Sequence, residues 1–94
     1  MTINKILAVD DSKVDLINLQ NILSDAGYEV LTAGSGQEAI EKASAEKPDL
    51  IFMDVVMQHM DGYQACRELT HSDATKNIPI IFVTSKGQKA DRVW

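Results

Sequence analysis

The sequence predicts an α/β fold, a doubly wound parallel sheet with helices on both faces, and three observations carry that prediction. Leu50, Ile51, Phe52, Met53 and Asp54 form a short apolar run that stops on a carboxylate. A run of that length without a polar break reads as a strand buried on both faces. Lys5, Ile6, Leu7, Ala8 and Val9 repeat the pattern and lead into a second acidic stop, Asp10 and Asp11. Between such runs lie stretches with apolar residues at helical spacing. Strands alternating with helices through short loops imply right-handed crossovers and a parallel sheet.

After the first strand, Ser12 with Asp15 three residues on marks a helix start. Leu16, Leu19, Leu23 and Ala26 give that helix one apolar stripe, and Gly27 ends it. Glu29, Val30, Leu31, Thr32 and Ala33 alternate polar and apolar residues, the pattern of a half-exposed edge strand. A second helix carries Ala39, Ile40 and Ala43. It stops before Pro48, which biases Lys47 away from the helical region. Past the Asp54 strand, Asp61 and Gln64 sit at capping-box spacing, with Gly62 at the sharp entry and Ala65 and Leu69 on the inward side. Residues 71–77 read as a polar loop. Ile78, Pro79, Ile80, Ile81, Phe82, Val83 and Thr84 read as a fourth strand with proline at its beginning, where a missing N–H is tolerated. Ser85 and Gln88 mark a further helix through Arg92, Val93 and Trp94, weakened by Gly87.

At 94 residues the chain is one small domain, able to bury roughly two-thirds of its unfolded surface. Hydrophobic content of 45% and charged content of 24% are globular values. The net charge of −5 argues against nucleic acid or an anionic membrane as a direct partner, since either favours a basic face. No run is long enough to span a bilayer, and the start lacks the pattern of a signal peptide, so the expected compartment is the cytoplasm. Cys66 has no partner for a disulfide and no neighbour at metal spacing; a small buried helix residue is expected there. His59 and His71 likewise lack partners at ligand spacing and read as solvated.

In an open α/β sheet, ligands sit outside the carboxyl ends of the strands. Two central strands ending in Asp10, Asp11 and Asp54 would therefore gather three carboxylates at one edge. Like charges so placed oppose one another unless a cation offsets them, and hard oxygen donors with room for water suit Mg2+. A competing motif follows the edge strand. Gly34, Ser35, Gly36, Gln37, Glu38 and Ala39 fit the glycine pattern of a dinucleotide site, and Asp54 lies at about the twenty-residue distance such sites use. The same residues also read as a tight turn with Ser35 and Glu38 as a capping box.

Taken together, Asp10 and Asp11 after the first strand, Asp54 after the third, the run Met57, Gln58, His59, Met60, Asp61 and Gly62, and Thr84 after the fourth resemble a bacterial response-regulator receiver domain. The wording of residues 61–69 and 77–94 further resembles the single-domain receivers of type IV pili and twitching motility. The resemblance implies a flavodoxin-like sheet of strand order 2-1-3-4. It implies that Asp54 is the phosphoacceptor, served by a histidine kinase or phosphotransfer protein and passing its state to a downstream protein target. It implies Mg2+ held by Asp11, Asp54 and the backbone carbonyl of Val56, with Asp10 acting mainly through water. Thr84 would bond a phosphoryl oxygen and report the state. Such a domain is a switch, not an enzyme with a released product.

Two features depart from the family pattern. Gln58 stands where proline is usual, and the chain stops at Trp94, before the fifth strand with its lysine and the fifth helix. Lys86 and Lys89 do not match that strand-end position. A binding-only receiver is therefore an alternative, beside the dinucleotide module. A haloacid-dehalogenase-type phosphatase would want a second aspartate where Val56 stands. The fourth strand, as apolar as a central one, would become the outer strand and favour pairing with a second copy.

Overall fold

The computed structural model describes residues 3–54 and 62–83. In chain order these form β1 (Lys5–Val9), α1 (Lys13–Asp25), β2 (Glu29–Ala33), α2 (Gly36–Glu46), β3 (Leu50–Asp54), α3 (Gly62–His71) and β4 (Ile80–Val83). All pairings are parallel and the order is β2-β1-β3-β4. The register sets Val9 opposite both Ala33 and Met53. One step further along, Asp10 is level with Asp54, so the acidic ends of β1 and β3 coincide.

Alternation along the strands divides the core in two. Leu7, Val9, Ile51 and Met53 turn to one face and pack with Ala39 and Ala43 of α2 and Ala65 and Leu69 of α3. Ile6 and Leu50 turn to the other and pack with Leu23 of α1, joined by Leu19, Val30 and Phe52. Burying each large aliphatic side chain contributes roughly 1.5–3 kcal/mol over leaving it in water. β2 is an edge strand, yet Val30 and Leu31 join opposite cores, so both of its faces are partly covered.

The helix ends follow the local chemistry. Ser12 caps α1, its Oγ accepting from the Asp15 N–H at 3.4 Å. Gly27, with φ of 100°, closes the other end, where the N–H groups of Gly27 and Tyr28 donate to the carbonyls of Ser24 and Leu23. Ser35 caps α2 by accepting from the Glu38 N–H at 3.1 Å. Lys47 takes the left-handed conformation at the end of α2, with φ of 52° and ψ of 60°.

Four expectations need correction. Ala26 is exposed at the end of α1 and not part of its stripe, while Val14, Ile17 and Ile22 face solvent. β4 begins at Ile80: the Ile78 N–H turns back to the Thr75 carbonyl, so the ladder opens only where the Pro79 carbonyl accepts from Ile51. The loop before β4 is polar but not merely solvated, because Thr75 is buried and its hydroxyl donates to the Leu69 carbonyl at 2.6 Å. That carbonyl, at the end of α3, also accepts the Ser72 N–H at 3.4 Å, and the buried hydroxyl gives it a second, shorter bond. Cys66 is half-buried with a free thiol, since α3 turns Ala65 and Leu69 fully inward instead. His71 is exposed, with Nδ1 2.7 Å from the Arg67 carbonyl oxygen. Asp61, the remaining sequence signals at 55–60, and the helix expected from Ser85 lie outside the described residues.

Candidate functional site at the carboxyl edge of the sheet

Adjacency of β1 and β3 brings Asp10, Asp11 and Asp54 to one place, with one carboxylate oxygen of each within 4.8 Å of the others. Asp54 is fully buried at the end of β3, Asp10 is 3% exposed, and Asp11 is exposed. The Asp10 N–H donates to the Ala33 carbonyl at 3.1 Å, extending the β1–β2 ladder by one bond and fixing the first acid against the sheet. Its Oδ1 accepts from the Ser12 N–H at 2.9 Å. The mouth of the crevice thus has two buried carboxylates and one exposed to water.

Three ionised carboxylates this close repel one another, and burial of two of them raises the cost. A small divalent cation removes that penalty. All-oxygen donors, with an exposed side for retained waters, fit Mg2+ better than a metal that prefers nitrogen or sulfur. Asp10, Asp11 and Asp54 would hold the ion. Val56 and Thr84, also expected at the site, lie outside the described residues.

The glycine motif does different work. The Gly34 N–H donates to Glu38 Oε1 at 2.9 Å, and the Glu38 N–H to Ser35 Oγ. The start of α2 therefore spends one donor on its own carboxylate and another on the Ser35 hydroxyl. The Gly34 N–H, with Lys42 Nζ 3.1 Å from Glu38 Oε2, holds the Glu38 carboxyl below the usual range. An anion would have to displace Glu38, and β2 lies at the edge, not the centre where a dinucleotide turn belongs. One contributor went unread in the sequence: the main-chain N–H of Ser12, which faces Asp10. A backbone donor leaves no residue-type signal; only the tight spacing of Asp10 to a helix cap hinted at it.

A sheet of order 2-1-3-4 with acids at the ends of its two inner strands defines a class, and the family model described as the response regulator receiver domain matches residues 6–93. The chain belongs to that family and is a phosphoacceptor receiver of two-component signalling. It is 43% identical to Protein PilH of Pseudomonas aeruginosa over 90 residues, covering 96% of this chain and 74% of that one. The alkaline phosphatase synthesis transcriptional regulatory protein PhoP of Bacillus subtilis is 42% identical, and there the match takes in 95% of this chain but 36% of the relative. Among solved structures, the receiver domain of sensor histidine kinase PA1611 from Pseudomonas aeruginosa, with a magnesium ion coordinated in its active site cleft, superposes with a TM-score of 0.83 at 30% identity. That match covers 96% of this chain and 74% of the other.

Proposed function

We propose that Asp54 accepts a phosphoryl group from the phosphohistidine of a histidine kinase or phosphotransfer protein, with Mg2+ held by Asp10, Asp11 and Asp54. The observation that carries this reading is the meeting of the three carboxylates at the ends of β1 and β3. A carboxylate oxygen of Asp54 forms the new bond to phosphorus as the nitrogen–phosphorus bond of the donor breaks. The histidine ring keeps that electron pair, and Asp54 becomes an acyl phosphate. Bound Mg2+ supplies charge neutralisation for the incoming phosphoryl oxygens. Asp10, oriented by its bond to Ser12, would act on a bound ion mainly through water, while Asp11, beside Asp54, and the Val56 carbonyl would be direct ligands. Thr84 bonds a phosphoryl oxygen and carries the change to a downstream protein target.

The similarity to PilH supports a place in type IV pilus and twitching motility signalling, and membership of the receiver family supports a cytoplasmic setting. No helix among the described residues is long and apolar enough to cross a membrane. Incubating the chain with Mg2+ and a small phosphodonor, followed by mass spectrometry, tests the acceptor. A mass gain of one phosphoryl group is expected in the natural chain and none in Asp54→Asn. A gain that persists in Asp54→Asn removes the assignment; no gain in the natural chain favours a binding-only receiver.

A second copy of the chain is a further proposed partner, at the β4 edge. Among the described residues β4 is an outer strand, and Ile81 and Phe82 are exposed on it, 45% and 36% respectively. The Phe82 ring meets Tyr63 of α3 at 4.8 Å, and both rings reach solvent. An apolar outer strand without charges favours edge pairing. Sedimentation over a concentration series should show a dimer or larger assembly, whereas a folded monomer at high concentration defeats this part.

A further inference from the structure

The acidic site and the first helix meet at one residue. Ser12 donates its N–H to Asp10 Oδ1 at 2.9 Å, accepts the Asp15 N–H on Oγ at 3.4 Å, and accepts the Leu16 N–H on its carbonyl at 2.9 Å. Asp10 is almost wholly buried, so its carboxylate does not share this donor with bulk water. A carboxylate attached to a strand end still has freedom about its side-chain torsions. A charge-assisted bond from a main-chain donor restricts that freedom and favours one direction for the bonded oxygen.

We propose that the main-chain N–H of Ser12 is a positioning group of the metal site, presetting the Asp10 carboxylate for the cation and tying the first turn of α1 to metal occupancy. The inference rests on the Mg2+ reading above. A preoriented ligand loses less freedom when the ion arrives, which raises affinity without adding a contact to the metal. Because the same residue caps α1, binding at Asp10 and order in the turn of Asp15 and Leu16 are linked, and the coupling runs both ways. Ser12 touches neither phosphoryl group nor ion; it acts through Asp10.

The experiment titrates Mg2+ alone into the protein and follows amide signals by NMR. Ser12→Gly keeps the N–H and loses the hydroxyl cap, whereas Ser12→Pro loses both. The dissociation constant should stay within about twofold in Ser12→Gly and weaken about tenfold in Ser12→Pro. Thermal stability should fall in both, so affinity and stability separate. Equal affinities in Ser12→Pro and the natural chain overturn the proposal, as does an equal loss in Ser12→Gly, which would put the effect on the hydroxyl. Should Ser12→Pro not fold, Asp10→Ala serves. Removing the acceptor must speed hydrogen exchange at the Ser12 amide while the Asp15 amide stays protected, and unchanged exchange at Ser12 overturns the proposal. In the natural chain, Mg2+ should slow exchange at Asp15 and Leu16. If Mg2+ leaves every signal unmoved, the metal reading itself fails, and the exchange comparison with Asp10→Ala still judges whether Ser12 holds Asp10.

Discussion

β3 has an aspartate at each end, Asp49 just before its first residue and Asp54 as its last, and the two do opposite things. The Asp49 carboxylate accepts the N–H groups of Asn4 and Lys5 through Oδ2, at 2.9 and 3.0 Å, and so pins the start of β1 to the turn before β3. Those two donors hold its carboxyl below the usual range. Asp54 is buried beside two other carboxylates. One end of the strand surrounds a negative charge with donors, and the other gathers negative charges at a single point. The first arrangement stabilises the apo fold. The second sets like charges side by side, an arrangement that a cation would relieve, and it lies at the carboxyl edge while the clasp lies at the amino edge.

The sharpest way to break this comparison is to neutralise each end in turn. Asp54→Asn should abolish phosphoryl uptake and, in the presence of a chelator, raise stability by on the order of 1 kcal/mol, because one of three neighbouring charges is gone. Asp49→Ala should do the reverse, keeping phosphoryl uptake and lowering the urea midpoint. Loss of stability in Asp54→Asn without metal would show that the carboxylate cluster is not a source of repulsion.

Within the acidic end, the exposed Asp11 and the held Asp10 should differ. Asp11→Asn should lose most Mg2+-induced NMR or fluorescence change, since an ion that keeps several waters still needs a direct carboxylate besides Asp54. Asp10→Asn should weaken binding less. Shifts that survive in Asp11→Asn and vanish in Asp10→Asn reverse the ligand assignment.

Acid sharpens the other end. Asp49 and Glu38 both have carboxyls lowered by their hydrogen bonds, so each contributes stability above its unfolded-state pKa and loses it as pH falls through the folded value. Stability should therefore drop below roughly pH 4. Asp49→Ala should flatten that drop while starting from a lower plateau; a slope unchanged from the natural chain would show that the clasp is not ionic.

How much of this was legible depended on what each residue answers to. β1 and β3 begin and end where the apolar runs do, because strands buried on both faces leave little choice of residue, and β2 keeps the bounds its alternation predicted. The convergence of Asp10, Asp11 and Asp54 followed from strand order, which came from family likeness and not from periodicity. The Thr75 hydroxyl and the Ser12 N–H could not be read. The first is one buried hydroxyl in a loop that looks uniformly polar, and the second is a backbone group. α1 misled in another way: Val14, Ile17 and Ile22 are apolar on its outer side, so its inward stripe is not distinguished by hydrophobicity alone.

The smallest expected effect lies between the two helices and β3, at the turn that delivers Asp49 to its clasp. Lys47 ends α2 in the left-handed region, where a side chain with a Cβ is strained by about 1–2 kcal/mol relative to its ordinary conformations. Its ammonium is 3.4 Å from the Ala74 carbonyl at an exposed position, a contact worth little. The conformation is imposed from both sides: the Lys47 N–H still bonds the Ala43 carbonyl at 3.0 Å, and buried Pro48 follows at once. Glycine accepts this geometry freely but makes the unfolded chain looser, which offsets roughly half of the gain. Lys47→Gly should therefore stabilise by about 0.5–1 kcal/mol, a rise of roughly 2–8 °C in Tm for a domain of this size. Lys47→Ala, which keeps the strain and drops only the ammonium, should stay within about 0.5 kcal/mol of the natural chain. A Tm for Lys47→Gly at or below that of Lys47→Ala would mean that the turn is held without strain, and that the clasp at Asp49 draws nothing from it.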